Sequence, residues 1–324
     1  MRQIALLLRM AIFGILLVLT SWVSAGCGLT NSSMEPKEEV ARAVAPEIDE
    51  ASIREHLEHL TGASPVSLEG GKKKTTISER GSHKGRKAAA EYMKKSFEAA
   101  GVPARILEFT TSGAKRGYTV EATLKGSEGE KHLWVTAHLD SVGNAGANDN
   151  ASGLTLLLLA ASALGELDLE HTVHFVAYDL EEIGIVGSQE YVFDRVDSIL
   201  LRAGEDAILG NINTDMVGYE ENDFSAFLGG CGKAGRLDGA LMSASRAIDS
   251  PVALDKRCLR RSDHVMFWEL LLPAVLVTDD AQYDGYPCYH KPCDTLDKVN
   301  VSYLRSIIQV VATASALLAV PKQS

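Results

Sequence analysis

The sequence has few cysteines, no strongly basic segment and no internal repeat. Its five cysteines include no Cys-x-x-Cys pair, which argues against a zinc site built from thiolates. Lysine and arginine number 32 against 43 aspartate and glutamate residues, for a net charge of −11. Because no basic stripe offsets this charge, we expect no nucleic-acid partner.

The N-terminal segment indicates export. An apolar stretch ending at Val23 has the length of a signal-peptide core and is shorter than the roughly 20 residues of a membrane-spanning helix. The following Ser24-Ala25-Gly26-Cys27 resembles the cleavage box of bacterial lipoproteins, although Ser24 stands where leucine is usual. We predict a signal peptide over residues 1–26 and a lipoprotein anchored in the membrane through Cys27, facing the periplasm or the cell exterior. A secreted soluble protein is the alternative.

Residues 27–47 have few large apolar side chains and are predicted to be a tether. The remaining residues, 48–320, are enough for one domain with a substantial core. The four cysteines beyond the anchor are even in number, as expected for disulfides in an exported protein. A bridge between Cys288 and Cys293 would stiffen the loop around His290. Pairing of either one with Cys231 or Cys258 is the alternative.

Strand-like and helix-like segments alternate along the domain. The predicted helices are 47–60, 86–100, 151–164, 237–248, 263–270 and 302–318. The predicted strands are 103–110, 118–124, 132–137, 171–178, 207–212, 223–228 and 273–278. Strands separated by helices indicate an α/β fold with a largely parallel sheet covered on both faces. In such sheets, ligands bind outside the carboxyl ends of the strands.

Two histidines and five acidic residues stand at or just past the ends of short apolar segments. They are His138, Asp140, Asp149, Glu181, Glu182, Asp215 and His290. An extended segment directs His138 and Asp140 to one side, where the carboxylate can hold the imidazole for metal binding. Two adjacent carboxylates after an apolar strand, such as Glu181 and Glu182, cost free energy when they are buried unless cations neutralise them or water solvates them. Two imidazoles and three carboxylates without a thiolate suit a catalytic zinc site.

Each of these residues also has a structural interpretation when it is taken singly. Asp149 precedes a predicted helix and could cap it. His138 could be a buried core histidine, and the glutamate pair could belong to a solvated loop. The combination favours the metal site.

The ordered segments HLDSV, GANDNASG, EEIGIVGSQEY, NTDMVG, RSDH and YHKPCDT carry a resemblance. Together they resemble the zinc-dependent exopeptidase family of bacterial leucyl aminopeptidases, plasma glutamate carboxypeptidase and glutaminyl cyclases. The resemblance covers about residues 48–320 and implies a three-layer α/β/α sandwich with a mixed, mostly parallel central sheet. It implies two Zn²⁺ ions, one held by His138 and Asp215, the other by Glu182 and His290. Asp149 would bridge them.

The resemblance also implies catalytic roles. Glu181 matches the general base of the family, and Asp140 matches the aspartate behind His138. Tyr289 stands where some aminopeptidases use a tyrosine to polarise the scissile carbonyl, and Arg261 is a candidate for binding the substrate or the oxyanion. The implied activity is hydrolysis of N-terminal residues from peptides, with a water activated by two zinc ions.

Two alternatives share this scaffold. A glutaminyl cyclase needs a single zinc ion, and the full set of ligands for two ions counts against it. A receptor-like binding domain would have lost the chemistry, whereas every ligand and the base are present here.

Overall fold

An eight-stranded sheet runs through the fold, preceded by a short ribbon of β1 (Val66–Ser67) and β2 (Lys74–Thr75). The structure is a computed structural model that describes residues 35–68, 74–220, 224–279 and 285–320. The large sheet contains β3 (Ala104–Thr110), β4 (Arg116–Leu124), β5 (His132–His138), β6 (Thr172–Tyr178), β7 (Ile208–Thr214), β8 (Ser225–Gly229), β9 (Ala253–Arg257) and β10 (Ala274–Asp279). Their order across the sheet is β3-β4-β6-β5-β7-β10-β8-β9.

The centre of this sheet is parallel. Strands β6, β5, β7 and β10 run in one direction, with His138 beside Tyr178 at the ends of β5 and β6. At one side β4 and β3 pair antiparallel, and at the other β8 is antiparallel to β10 and parallel to β9. The predicted mixed, mostly parallel sheet is confirmed. Because the central strands are parallel, the segments that follow β5, β6 and β7 meet at one edge.

Nine α-helices in the described residues cover the sheet. They are α1 (Glu35–Val44), α2 (Glu50–Thr61), α3 (His83–Ala99), α4 (Gly153–Gly165), α5 (Val186–Tyr191), α6 (Asp197–Ala203), α7 (Leu237–Ala247), α8 (Val265–Glu269) and α9 (Val301–Ala319). Successive strand residues face opposite sides, so Val135 packs under α4 and α9 while Trp134 packs with α5 and α8. These two apolar cores make the predicted three layers.

Helix α9 is the one described helix that is long and apolar enough to cross a membrane. However, 72% of its most apolar window is buried inside the fold. Its buried face packs against α4, α7 and α1. We therefore assign α9 to the core of the domain.

The N-terminal boundary differs from the sequence prediction. Residues 35–47, predicted as part of a tether, contain helix α1 and a short 3₁₀ turn. Ala41 and Val44 are buried, and the Gln309 side chain donates a 2.8 Å hydrogen bond to the carbonyl oxygen of Ala45. The few apolar residues of this helix suffice because α9 offers them an apolar neighbour. The domain thus begins at or before residue 35, rather than at 48.

Besides α1, five elements were not predicted from the sequence, namely strands β1, β2 and β9 and helices α5 and α6. Helices α5 and α6 are joined by the π-helical turn Val192–Val196. Because a π-helical turn has more residues per turn than an α-helix, the apolar residues of this segment do not follow one helical period. Strand β9 has the sequence ALDKR, whose charged side chains are typical of a sheet edge.

Residues 1–34, including the predicted signal peptide and Cys27, lie outside the described part of the chain.

Candidate metal centre

The five predicted metal ligands meet at the carboxyl edge of the central strands. His138 is the last residue of β5, Asp215 directly follows β7, and Glu182 lies in the segment after β6. Asp149 lies in the turn Ala147–Ser152 that leads into α4. His290 lies in the loop before α9, so parallel strands and two connecting loops assemble the whole set.

These ligands form two groups that share one carboxylate. In the first, His138 Nε2 lies 3.0 Å from Asp149 Oδ1 and 3.2 Å from Asp215 Oδ1. In the second, His290 Nε2 lies 3.3 Å from Asp149 Oδ2 and 3.0 Å from Glu182 Oε2. Asp149 therefore offers one oxygen to each group. This arrangement can hold two cations with a bridging carboxylate between them.

The chemistry of the ligand set fits divalent metal ions. The side chains of Asp149 and Glu182 are each 5% exposed, so their charges are largely removed from water. Glu182 Oε1 is buried without a hydrogen-bond partner among the described residues. A buried carboxylate oxygen without a partner costs about 1–3 kcal/mol or more, which a bound cation would offset. Imidazole and carboxylate ligands without a thiolate are typical of zinc in catalytic sites.

The proton affinities of the ligands show the same excess of negative charge. Burial raises the pKa of Glu182. Burial opposes ionisation of Asp149 as well, but hydrogen bonds from His138 and His290 hold the pKa of Asp149 below its usual range. Burial opposes protonation of His138, and Asp215 with its neighbours nevertheless raises the pKa of His138 well above the ordinary value. Without metal ions, the negative charge of the buried carboxylates is balanced by protons bound to the ligand side chains. Bound cations can balance the same charge.

Asp140 has contacts beyond the one with His138 that the sequence predicted. His138 Nδ1 lies 3.1 Å from the main-chain oxygen of Asp140 and 3.7 Å from its carboxylate oxygen Oδ1. The carboxylate also accepts hydrogen bonds from the main-chain N–H groups of Glu181, at 3.0 Å, and Glu182, at 3.2 Å. The pairing of β5 with β6 places Asp140 beside the segment that follows β6. Asp140 therefore fixes both glutamates as well as the imidazole.

The other predicted site residues lie around this centre. Burial raises the pKa of Glu181, whose carboxylate has Glu182 and Asp263 as charged neighbours. The Tyr289 ring stacks on His290 with ring centroids 3.9 Å apart, and burial raises the pKa of the Tyr289 hydroxyl. That hydroxyl therefore stays protonated and can donate. Arg261 is exposed in the segment between β9 and α8.

A disulfide joins Cys288 and Cys293 and closes the loop that carries Tyr289 and His290. The prediction of this local bridge is confirmed, and the alternative pairing with Cys231 or Cys258 is wrong, because those two cysteines are bonded to each other.

Sequence reasoning missed two buried aspartates near the centre, Asp294 and Asp263. Asp294 accepts hydrogen bonds from the main-chain N–H groups of Asn148, at 2.8 Å, and Asp149, at 3.1 Å. Asp263 is buried and accepts a 2.5 Å hydrogen bond from the Ser188 hydroxyl. Both belong to segments that carried the family resemblance, YHKPCDT and RSDH. Nothing in their spacing indicates which partner they contact.

Sequence comparisons identify relatives of this chain. The profile of peptidase family M28 matches residues 119–315, more than half of the 324 residues. Leupeptin-inactivating enzyme 1 of Streptomyces exfoliatus is 28% identical over 299 residues, which cover 86% of this chain and 64% of that protein. Aminopeptidase YwaD of Bacillus subtilis (strain 168) is 31% identical over 200 residues, which cover 59% of this chain and 42% of that protein. The chain thus spans less than two thirds of the length of these two relatives.

Solved structures share the fold. A zinc aminopeptidase from Bacillus subtilis superposes with a TM-score of 0.73 at 15% identity, over 86% of this chain and 97% of that one. The LapA aminopeptidase of Legionella pneumophila gives a TM-score of 0.73 at 21% identity, over 93% of this chain and 79% of that one. These likenesses confirm the predicted α/β/α architecture.

Proposed function

The chain belongs to peptidase family M28, and from this membership we propose that it is a metal-dependent aminopeptidase that uses two zinc ions. The observation that carries the proposal is the pair of ligand groups that share Asp149, with His138 and Asp215 on one side and Glu182 and His290 on the other. Relatives named as aminopeptidases support removal of N-terminal residues from peptides.

The two zinc ions would act as Lewis acids and lower the pKa of water at the site. Glu181 takes the proton of the attacking water and passes one to the leaving amine. Asp140 holds the backbone of both glutamates in place by accepting hydrogen bonds from their main-chain N–H groups.

Tyr289 completes the proposed site as a hydrogen-bond donor. Its hydroxyl stays protonated and would donate to the carbonyl oxygen of the substrate as that oxygen gains negative charge. The stacking of Tyr289 on His290 fixes the position of the ring. Arg261 is proposed as a contact for the substrate or for the same oxygen.

The test uses the purified full-length chain. We expect about two zinc ions per chain by elemental analysis, hydrolysis of amino-acid amides and dipeptides, and loss of hydrolysis on chelation with recovery on zinc addition. Matched N-acetylated substrates are the control, because an aminopeptidase requires a free amine. Active protein without a transition metal would overturn the proposal. Equal cleavage of acetylated substrates would exclude an aminopeptidase, and ammonia release from N-terminal glutamine peptides would indicate a cyclase.

We further propose that lipidation at Cys27 anchors the enzyme outside the cytoplasm, where peptides are its substrates. The lipoprotein-like Ser24-Ala25-Gly26-Cys27 and the even number of remaining cysteines support this location. Two disulfides in the domain are consistent with an oxidising compartment.

A further inference from the structure

Arg80 is a fully buried charged side chain that contacts the loop between two of the proposed metal ligands. Its guanidinium donates four hydrogen bonds, all to main-chain carbonyl oxygens. Nε donates to Leu139 at 2.9 Å, and Nη2 donates to Gly146 at 2.9 Å. Nη1 donates to Leu60 at 2.8 Å and to Ala145 at 2.7 Å. One planar group thus joins helix α2 to both ends of the loop after β5.

The positions of these carbonyl groups connect Arg80 to the metal centre. Leu139 lies directly between His138 and Asp140, and Gly146 begins the turn that delivers Asp149. The main-chain N–H of Arg80 also donates to Ser141 Oγ, at 3.1 Å, within the same loop. Since the guanidinium is rigid, it sets the separation between the start and the end of this loop.

The close approach of Arg80 depends on glycine at two positions. A Cβ on Gly146 would lie 2.8 Å from Arg80 Nη2, and Gly146 has a φ of +57°. A Cβ on Gly81, the neighbour of Arg80, would lie 2.7 Å from the nitrogen of Gly143. The segment around Arg80 and the metal-binding loop therefore have no space for a side chain between them.

The positive charge of Arg80 lies near the carboxylates of the metal centre, but its hydrogen bonds do not go to them. Burial lowers the pKa of Arg80, and the nearby carboxylates Asp294, Asp149 and Asp140 counter that effect. An arginine stays protonated in proteins, so a positive charge remains beside the acidic cluster. The four donated hydrogen bonds go to carbonyl groups, which leaves the carboxylate oxygens available for cations.

We propose that Arg80 is a positioning residue that sets the distance between His138 and Asp149 and thereby the affinity of the centre for zinc. The inference rests on the proposed function only in taking zinc as the bound ion. A positive charge alone cannot replace this role, because the four carbonyl groups lie at three places, α2 and the two ends of the loop after β5, and only a planar group with several donors reaches all of them.

The test compares Arg80→Lys with wild type in the full-length chain. Lysine keeps the charge but cannot donate to four separate carbonyl groups. We expect the zinc dissociation constant, measured by competition with a chelator, to rise by about tenfold or more. We also expect a changed visible absorption spectrum of the Co²⁺-loaded protein, which reports ligand geometry.

The matched control is Arg86→Lys. Arg86 is also buried, but it contacts Asp179 and the carbonyl groups of Gly81 and Arg116 rather than the loop after β5. We expect its melting temperature without metal to fall while its zinc affinity changes by no more than about twofold. If Arg80→Lys behaved in the same way, with an unchanged Co²⁺ spectrum, Arg80 would be merely structural and the inference would be overturned.

A measurement on wild type covers the case in which Arg80→Lys does not fold. If Arg80 favours the metal-binding geometry, zinc must in turn stabilise the hydrogen bonds of Arg80. Hydrogen exchange at Arg80 Nε, followed by NMR, should slow on zinc addition, whereas exchange at Arg86 Nε should not. Equal exchange at Arg80 with and without zinc would overturn the inference alone. Absence of zinc binding by wild type would overturn the proposed function as well.

Discussion

Glu181 and Glu182 are neighbours in the sequence but have different surroundings. Glu182 Oε2 lies 3.0 Å from His290 Nε2, within a ligand group. Glu181 lies outside both ligand groups and has a raised pKa because it is buried among other carboxylates. Asp140 accepts hydrogen bonds from the main-chain N–H groups of both residues and so holds the backbone from which the two side chains extend.

Replacement of each glutamate should therefore have a distinct effect. Glu181→Gln should keep both metal ions and lower kcat by about 10²–10⁴-fold, because it removes a general base. Glu182→Gln, the matched control, should weaken metal binding itself. Zinc content and kcat measured on the same samples separate the two. Loss of zinc from Glu181→Gln, with normal turnover per bound metal, would reverse the assignment.

His56 makes the stability of the domain sensitive to acid. Burial lowers its pKa to about 4, and its Nδ1 lies 2.6 Å from the Tyr92 hydroxyl. The ordinary value is 6.5, so between pH 6.5 and 4 the unfolded chain binds this proton and the folded chain does not. Neutral His56 therefore imposes no penalty on folding above pH 6.5, and the free energy of unfolding decreases as the pH falls from 6.5 toward 4.

Removal of this titration should flatten the acid dependence. His56→Asn keeps a polar atom near the position of Nδ1 and cannot bind a proton in this range. Measured with chelator present, its melting temperature should decrease less between pH 6.5 and 4 than that of wild type. The difference between the two proteins isolates His56 from the acidic cluster, which is present in both. Parallel melting curves across this range would contradict the assignment.

At the scale of elements, a disulfide-closed loop carries His290, one of the proposed metal ligands. The bridge between Cys288 and Cys293 encloses Tyr289 and His290, and His290 has a φ of +55°, in the left-handed region. Non-glycine residues adopt this region only where surrounding structure holds them there. The bridge and the hydrogen bond from Lys291 N–H to the Cys288 oxygen, at 3.0 Å, provide that restraint.

The two disulfides should differ in what their removal costs. Loops closed over 5 and 27 residues stabilise by about 2 and about 3.5 kcal/mol through the entropy of the unfolded chain. The double change Cys288→Ser with Cys293→Ser should lower zinc affinity and turnover more than the melting temperature of the metal-free protein. The control, Cys231→Ser with Cys258→Ser, should do the opposite. Unaltered zinc affinity in the first variant would show that the loop holds its shape without the bridge.

At the scale of the whole molecule, helix α1 shortens the predicted tether. If Cys27 is lipidated, residues 28–34 are the segment between the anchor and the first helix. These seven residues span at most about 25 Å when fully extended. The domain would then stay close to the membrane surface, and its active site would meet peptides there.

Cell fractionation tests this arrangement. Cys27→Ser should move the enzyme from the membrane fraction to a soluble fraction and keep its activity, because every proposed ligand lies at or beyond His138. Ser24→Ala is the matched control, since it changes the same segment and keeps the cysteine that would carry the lipid. A Cys27→Ser protein that remains in the membrane would point to an uncleaved signal anchor instead.

The sequence by itself determined the order of the central strands with the long helices between them, and the residue types of the site. Ligand residues stand at the end of β5 and after β6 and β7, and parallel strands end at the same edge. Their proximity therefore follows from the chain order once the strands are recognised. The local spacing of Cys288 and Cys293 made their bridge predictable in the same way, although the alternative pairing stayed open.

Only the tertiary structure decided the contacts between segments far apart in the chain. Arg80 reaches the carbonyl groups of Leu139 and Gly146, and Asp294 holds the N–H of Asp149. Arginine and aspartate are common on surfaces, so neither carries a local signal for such a role. Helix α1 was also missed, because its few apolar residues predict a buried helix only when the neighbouring helix α9 is known. Local patterns fix which residues line the strand ends, whereas packing fixes which distant groups hold them in place.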